Sequence, residues 1–541
     1  MLKKFPKPQR STLIQMAAIL LWGVACMVFF QGYYRYHFFY QEQNQLFLLT
    51  SDYAATYLKH PAWLACLAGD FLTQFYYYLW LGPLILTLAL LTVGDLARRA
   101  LQRAGIPRWW TFGIAILLIT IEAVFCFKTS FRLSSVIALG GGIATFIIVS
   151  PLLRKEWVWQ ACAIIIGTAL TYWLFGYGLW AFFILLLIDA ICKSFKNKKE
   201  HKKVPKWTPL FRLIPLLAIP IIINLGRNCY YLKAEAALTY PGMGKFSMPD
   251  MALEKCFAVD NEYHFGNYAK VKEIVENDPH PTEPMLFFYN LVQAQEGQLP
   301  DQLLRFSPNQ LGTFYAIGPN TPLITIINMN ELYWALGDMT LAERAAMMTN
   351  VFAPNNRNVR MMKRLAECNL VSGDSLAANK YLHILQNTWV YKDWADRVIN
   401  KDANIWQGIQ AKQQFVNQAD TIRLDDNLHR VMMELLDSNP NNIVALDYIL
   451  CSNLLLKDIT NFKRDYDRYC MDSGQPRLKP LYQQALMVWL AGTHAPQEEW
   501  ERYIHDGALV ERFAQYNNNR GNPQFRDTYW YYFDTAKAPK P

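Results

Sequence analysis

Residues 157–192 read WVWQACAIIIGTALTYWLFGYGLWAFFILLLIDAIC, a stretch whose one Asp, Glu, Lys or Arg is Asp189. A bilayer core is crossed by roughly 20 mainly apolar residues, so this segment is either one overlong helix or two spans. Arg154 and Lys155 stand just before it and Lys193 just after it. Short loops rich in Lys and Arg stay on the cytoplasmic side, and a single crossing would put one of these basic flanks outside. A hairpin turning at Gly176 to Gly178 keeps both inside, and glycine admits the tight turn. The choice fixes the parity of the spans, and with it the side on which everything downstream lies.

Working outward from that hairpin, apolar stretches of spanning length occur at Thr12 to Phe30, Asp70 to Val93, Trp109 to Phe127, Leu133 to Leu153, Trp157 to Phe175, Tyr177 to Cys192 and Leu210 to Leu225. They predict seven spans within residues 1–227 and none in residues 228–541. The basic clusters Lys3, Lys4, Lys7 and Arg10, then Arg98, Arg99, Arg103 and Arg108, then Arg154 and Lys155, then the run Lys193 to Lys206 fall at the N-terminus and at every second loop. Lys128 and Arg132, in a short outer loop, oppose the pattern. The expected topology has a cytoplasmic N-terminus and an extracytoplasmic, periplasmic domain from residue 228. No small-x-small site follows Phe30, so the first helix is read as uncleaved. The membrane half holds 23 Lys and Arg against 8 Asp and Glu, and the rest 30 against 36, so the net charge of +9 conceals a mildly acidic second half. The basic run is read as a topology signal rather than a nucleic-acid site, and no nucleic-acid partner is expected.

The second half repeats a unit of apolar helix, tight turn and second helix. Its clearest copies are Glu331 to Asp338 and Ala366 to Asp374, in which Gly337 and Gly373 stand 36 residues apart. In each, glycine fits a left-handed helix cap and the following aspartate caps the next helix. Ala345 and Ala377 occupy the second helices, and Pro354 and Pro440 are expected to open later ones. Degenerate copies occur at Gly266-Asn267-Tyr268, Gln295-Glu296-Gly297 and Lys457-Asp458. These residues resemble tetratricopeptide repeats over Met251 to Leu385 and Asn427 to Ala491, which implies an α-solenoid with a protein- or peptide-binding face. Tyr333 and Trp334 stand near the expected aromatic positions. Arg512 to Phe533 reads as an aromatic loop, in which Tyr529 and Trp530 either cap the last repeat or meet another molecule. Cys229, Cys256, Cys368, Cys451 and Cys470 show no C-x-x-C spacing. They form neither a disulfide framework nor a structural zinc site, although one disulfide stays open.

Candidate chemistry concentrates at the outer ends of the spans. The first outer connection, Gln31 to Gly69, carries Glu42 and Asp52, and Asp70 and Glu122 lie near the same surface. Asp95 and Asp189 fall at the inner surface beside Arg98 and Lys193. Leu46, Leu49, Tyr53 and Tyr57 repeat at helical spacing and predict a surface-lying amphipathic helix before Pro61. Glu42 with Asp52 or Asp70 has the chemistry to hold a divalent metal over a lipid phosphate, or to supply a general base. Gly140 to Gly142 reads as close helix packing rather than a phosphate loop.

An acid in the first outer loop, an amphipathic helix after it and several later spans resemble the integral-membrane glycosyltransferases that use lipid-linked sugars. That resemblance covers residues 12 to 227 and implies catalysis by Glu42, Asp52, Asp70 and Glu122, with Gln41 and Gln43 rather than a second acid flanking Glu42. The segments Gln41 to Phe47 and Phe71 to Tyr78, with the spans and helical tail that follow, also resemble an uncharacterised family of Bacteroidota membrane proteins, which implies a Gram-negative inner membrane and no activity. The expected protein is all-α, with a seven-span bundle and a periplasmic solenoid. Its leading functional reading is a scaffold or accessory factor in envelope assembly or export, with membrane lipid and a periplasmic protein as partners and no cofactor required. The alternative is a lipid-linked group transferase.

Overall fold

The computed structural model describes residues 10–199, 211–306, 323–414, 416, 427–474 and 476–537. Among these, every regular element is helical and no strand occurs. Lys3, Lys4, Lys7, Leu210 and the end of the basic run up to Lys206 lie outside the described residues. The chain forms two compact units. Unit 1 comprises the residues up to Glu254 together with Gln386–Lys392, and unit 2 comprises Lys255–Leu385 and the residues from Asp393 onward. The structural division thus falls after Arg227, the boundary that hydropathy marks.

Unit 1 begins with α1 (Arg10–Gly32) and α2 (Tyr36–Gln43), bent from each other by 73°. There follow α3 (Ser51–Tyr57), α4 (Trp63–Thr73), α5 (Leu81–Arg103), α6 (Arg108–Phe125), α7 (Leu133–Val149), α8 (Trp157–Phe175), α9 (Gly178–Lys199), α10 (Ile214–Cys229) and α11 (Ala234–Thr239). Four helices, α5, α6, α8 and α9, are long and apolar enough to cross a membrane, and the bent pair α1–α2 makes a fifth. The apolar helices α7 and α10 hold only 17 and 16 residues. At 1.5 Å per residue they reach roughly 25 Å, short of the roughly 30 Å hydrocarbon core. By length the structure therefore supports four to five spans where hydropathy alone predicts seven.

The 157–192 stretch is a hairpin. α8 ends at Phe175, Gly176 takes a φ of +53° and α9 starts at Gly178. The short helix α7 packs against α4, α5, α8 and α9. Its glycines explain how so many neighbours fit, because small residues let backbones approach. A Cβ on Gly142 would collide with the carbonyl of Gly178, one on Gly178 with the carbonyl of Ala138, and one on Gly141 with the Phe175 ring.

Three expectations about the first outer connection change. The second span starts at Leu81 rather than Asp70, because the chain leaves α4 through a 3₁₀ turn at Gln74–Tyr77. Pro83 then sits in the first turn of α5, where its missing N–H costs nothing. Asp70 therefore belongs to a separate helix. The amphipathic helix is confined to α3, whose N-cap Thr50 accepts a hydrogen bond from the Tyr53 amide (3.3 Å), so Leu46 and Leu49 precede it. Leu49 donates its N–H to the carbonyl of Asn387 (2.7 Å) instead.

Unit 2 takes in α12 (Met251–His264) from Lys255 onward, then α13 (Tyr268–Glu276), α14 (Glu283–Gln295), α15 (Leu299–Gln302), α16 (Leu323–Leu336), α17 (Met339–Phe352), α18 (Val359–Ser372) and α19 (Ser375–Gln386). It continues with α20 (Lys392–Ile399), α21 (Ala403–Gln413), α22 (Leu428–Ser438), α23 (Ile443–Leu455), α24 (Ile459–Tyr466), α25 (Pro480–Gly492), α26 (Gln497–Tyr503), α27 (Gly507–Asn518) and α28 (Tyr529–Thr535). Gly337 and Gly373 have φ of +83° and +85°. The next residues cap as the repeat requires, with Asp338 accepting from Leu341 N–H (3.0 Å) and Asp374 from Ala377 N–H (2.9 Å). Pro354 opens a three-residue 3₁₀ helix (Pro354–Asn356) and Pro440 a turn; the α-helices α18 and α23 start later, capped by Asn358 and Asn442. The expected loop Arg512 to Phe533 is largely helical, because Asp506 and Thr528 cap α27 and α28.

The packing of unit 2 departs from a chain of neighbours. Helix α23 is buried on all sides from Ala445 to Leu455, as a helix apolar all round must be. It packs on α14 and α16 as well as on its sequence neighbours α22 and α24. Asn442 donates its side-chain amide to the carbonyl of Leu336 (2.8 Å), and Lys479 pairs with Asp301 (2.5 Å). In a simple solenoid each repeat touches only the next; here the late helices return onto the early ones.

Asp447 lies within that central helix. Tyr482 donates its hydroxyl to Asp447 Oδ1 (2.9 Å) and Arg477 stands 2.7 Å from the same oxygen, yet burial outweighs both and pushes the carboxyl up to about 6. The folded state then keeps a proton that the unfolded chain loses near pH 4. Asp447 therefore contributes stability that is full below about pH 4 and gone above about pH 6, an effect of roughly 2–3 kcal/mol. Asp447→Asn should flatten this part of the stability curve of the detergent-solubilised chain, measured as thermal midpoint between those pH values. An unchanged slope would reject the assignment.

Candidate functional site

The elbow between α1 and α2 is built around aromatic rings and one distant carboxylate. Glu254 accepts the N–H groups of Tyr36 (2.5 Å, Oε1) and His37 (3.2 Å, Oε2), satisfying amides that the start of α2 leaves open. The His37 ring is buried between Tyr34 and Phe38, with centroids at 4.5 and 4.0 Å, and its Nδ1 lies 3.6 Å from Glu254. Tyr34 donates its hydroxyl to the Phe127 carbonyl (2.9 Å). Gln41 donates its amide to the carbonyls of Thr129 (3.0 Å) and Phe131 (3.1 Å). Helix α2 thus straps the turn between α6 and α7.

Glu42 ends that strap and is buried. Tyr391, from the Gln386–Lys392 segment of the same unit, donates its hydroxyl to Glu42 Oε2 (3.2 Å), and the Tyr77 ring stacks edge-on against Tyr391 at 5.5 Å. Burial, and then the charge of Glu42, push the Tyr77 phenol up to about 12. Asp70 has different surroundings. Tyr57 donates its hydroxyl to Asp70 Oδ2 (2.8 Å), the Tyr57 and Tyr53 hydroxyls meet at 3.1 Å, and Gln45 donates to the Asp70 main-chain carbonyl (3.2 Å). Cys66 and Tyr240 lie within electrostatic reach of this carboxylate, and Arg132 lies within reach of both. Asp52 is exposed on α3, and Glu122 is buried in the last turn of α6. The four acids therefore occupy four different settings, with Glu42 and Asp70 each tethered by its own tyrosine. Among the described residues no group of three or more His, Cys, Asp and Glu side chains has metal-binding geometry.

In unit 2, Tyr333 is buried, and Trp334 is held between the Arg364 guanidinium (4.2 Å from the ring centre) and the Lys412 ammonium (5.3 Å). Lys412 also donates to the Trp334 carbonyl (2.7 Å), and burial lowers its ammonium to about 8. Tyr529 and Trp530 are buried as well. Tyr529 donates its hydroxyl to the Leu454 carbonyl (3.1 Å), and Trp530 packs with Phe513, Tyr516 and Phe525. Sequence reasoning misses the buried ion network at the centre of this unit. Arg360 donates two bonds to Asp260 (2.9 and 3.0 Å) and one to Glu331 (2.8 Å), which also accepts from Arg364 (2.8 Å). An arginine pair four residues apart on α18 reads as a solvated face, and nothing in the sequence points it inward.

A cleft of about 480 Å³ opens on the surface of α13 to α15, lined by Lys272, Glu276, Gln293, Glu296, Gln302 and Arg305 among others. Its charges are paired, Lys272 with Glu296 and Arg305 with Glu276, both at 2.8 Å, and Glu273 with Lys270 at 2.9 Å. The remaining donors and acceptors are mostly side-chain amides.

Residues 10–536 match a family described as a family of unknown function, DUF6057. The chain belongs to that family. No curated protein and no solved structure shows significant similarity to it. The DUF6057 match runs through both units, so the helical second half belongs to the family pattern as much as the apolar helices do. Membership in DUF6057 carries no activity with it, and the functional reading rests on geometry.

Proposed function

We propose that this DUF6057 member is a multi-pass inner-membrane scaffold whose second unit is a periplasmic, tetratricopeptide-like module binding a protein or peptide during envelope assembly or export. The observation that carries the reading is the α13–α15 cleft. Its ionic groups are already paired, and its side-chain amides suit a polar main chain better than a reacting group. The helix pairs capped at Gly337 and Gly373 supply the repeat character. Seven spans are reached when α7 and α10 are added to the four helices of spanning length and the bent pair α1–α2, with the bilayer thinning locally around the short ones. The basic clusters at alternate loops support a position of residue 228 outside the cytoplasm. The transferase reading has less support, because Glu42, Asp52, Asp70 and Glu122 stand in separate surroundings.

Two measurements test this. A periplasm-active reporter fused after Arg227 should be active, and an inactive fusion removes the topology. A photo-crosslinking residue at Asn277 or Gln298 should capture one discrete protein in intact cells, whereas one at exposed Glu511 should not. Equal capture at all three positions, or full function of a chain truncated at Arg227, rejects the scaffold.

A further inference from the structure

The basic ends of α5, α8 and α9 meet at one end of the apolar bundle. A Cβ on Gly105, just past α5, would stand 3.3 Å from Cys192 near the end of α9, and Phe211 stacks on Trp157 at the start of α8 (6.1 Å). Asp189 is buried there and accepts from Lys193 (3.0 Å) and from Nη1 of Arg212 (2.5 Å), which lies 23 positions further on. Arg154, exposed on the turn before α8, lies with Arg212 within electrostatic reach of Lys193. Three cations thus share one acid, and adding Lys155 and Glu156 from the stretch before α8 leaves the excess at two. Arg212 is 1 % exposed, and its Nε–H is enclosed by protein with no acceptor. Buried donors ordinarily find a partner, so the cluster is short of negative oxygen atoms. Lys193 keeps 37 % of its side chain exposed, so the excess charge can be reached from outside. Aromatic rings adjoin it: Trp157 and Trp159 are exposed, and the Lys155 ammonium lies 5.6 Å from the Trp159 ring centre. Exposed tryptophans at the ends of spanning helices belong at headgroup level. A topology signal needs only positive charge near a span, and does not require cations from three segments gathered round a buried acid.

We propose that this cluster is a headgroup site for an anionic glycerophospholipid, whose phosphodiester is bound by Arg154 and Lys193 while Trp157 and Trp159 lie beside the glycerol and acyl chains. Arg212 adds its charge from the interior, and Asp189 holds Lys193 in place. Basic pockets between spanning helices recognise lipid headgroups in this way, through charge-assisted bonds to phosphate oxygens. The site rests on the reading of unit 1 as a bundle embedded in a membrane.

The test titrates the full chain in a neutral detergent with phosphatidylglycerol, phosphatidylcholine and inorganic phosphate. Native mass spectrometry counts bound lipid, and the thermal midpoint reads every ligand, because it rises with occupancy of the folded chain. Phosphatidylglycerol should give a single adduct in preference to phosphatidylcholine and raise the midpoint, and inorganic phosphate should not. Arg154→Gln combined with Lys193→Gln should weaken phosphatidylglycerol binding at least about tenfold, each lost cation counting for about fivefold. If that double variant does not fold, Arg154→Gln alone decides, with an expected loss of about fivefold, since Arg154 is exposed. The control is Arg98→Gln combined with Arg99→Gln, which removes two cations already paired with Asp95, each at 2.6 Å. It should leave the affinity within about twofold of the parent. Equal binding of phosphatidylcholine, a midpoint raised as far by inorganic phosphate, or equal losses in the control and the site variant overturns the proposal. Release of the chain from membranes by alkaline carbonate would instead remove the membrane reading itself, and the site with it.

Discussion

Arg360→Met should cost unit 2 about 3–5 kcal/mol, because removing one partner of a buried ion pair strands the others in a low-dielectric interior. Asp260 loses both of its bonds from Arg360, and Glu331 keeps only Arg364. Against a total stability of about 5–15 kcal/mol that loss is large. Protease resistance of the Lys255–Leu385 region in the full chain, followed against denaturant, should collapse at a much lower concentration than in the parent. Arg360→Lys should fall between, since an ammonium keeps the charge but lacks the second nitrogen, Arg360 meeting Asp260 through Nη1 and Glu331 through Nη2. Replacing Asp260, Glu331, Arg360 and Arg364 together by apolar residues of similar volume should recover much of the loss, because no buried charge of the network is then stranded. If Arg360→Met unfolds within about 1 kcal/mol of the parent, the network contributes little.

The second large effect lies in unit 1. Gly142→Leu should prevent the correct packing of α7 on α9, since the new side chain meets the main-chain carbonyl of Gly178 rather than a movable side chain. Overpacking usually costs about 1–3 kcal/mol, and a backbone obstacle puts this case at the upper end or beyond. The expected readout is loss of the monodisperse peak when the detergent-extracted protein is run on a sizing column. Gly113, on α6, faces open space, so Gly113→Leu serves as the control and should behave like the parent. Similar behaviour of the two variants would mean that α7 and α9 do not pack through glycine.

The two predictions mark how far sequence reading extends. Helix content, the turn at Gly176, the capped turns at Gly337 and Gly373 and the packing role of Gly140 to Gly142 all follow from local rules. Each depends on residues within a few positions of one another, where hydropathy, glycine conformation and side-chain capping act directly. The break after Asp70 was partly readable from Pro83 and the aromatic tract before it, yet the continuous apolar character of that stretch pointed to one helix. Span count from hydropathy exceeded what helix length supports because composition does not reveal where a helix stops.

The candidate site was legible as residue types and not as an arrangement. Glu42, Asp70 and Glu122 could be named from their places near the span ends, but Tyr391 lies 349 residues from Glu42 and Glu254 lies 218 from Tyr36. No local pattern links such positions. The same holds for Arg360 with Asp260, 100 residues apart, and for Asn442 with Leu336, 106 apart. By itself, then, the sequence determined an all-helical chain with an apolar first half and a capped helical-pair second half, because periodicity and charge placement are properties of neighbouring residues. Only the tertiary structure decided that α23 is a buried central helix, that two arginines turn inward to meet two acids, and that Glu122 is enclosed. Burial depends on which distant segment closes over a side chain, and that is fixed when the helices pack.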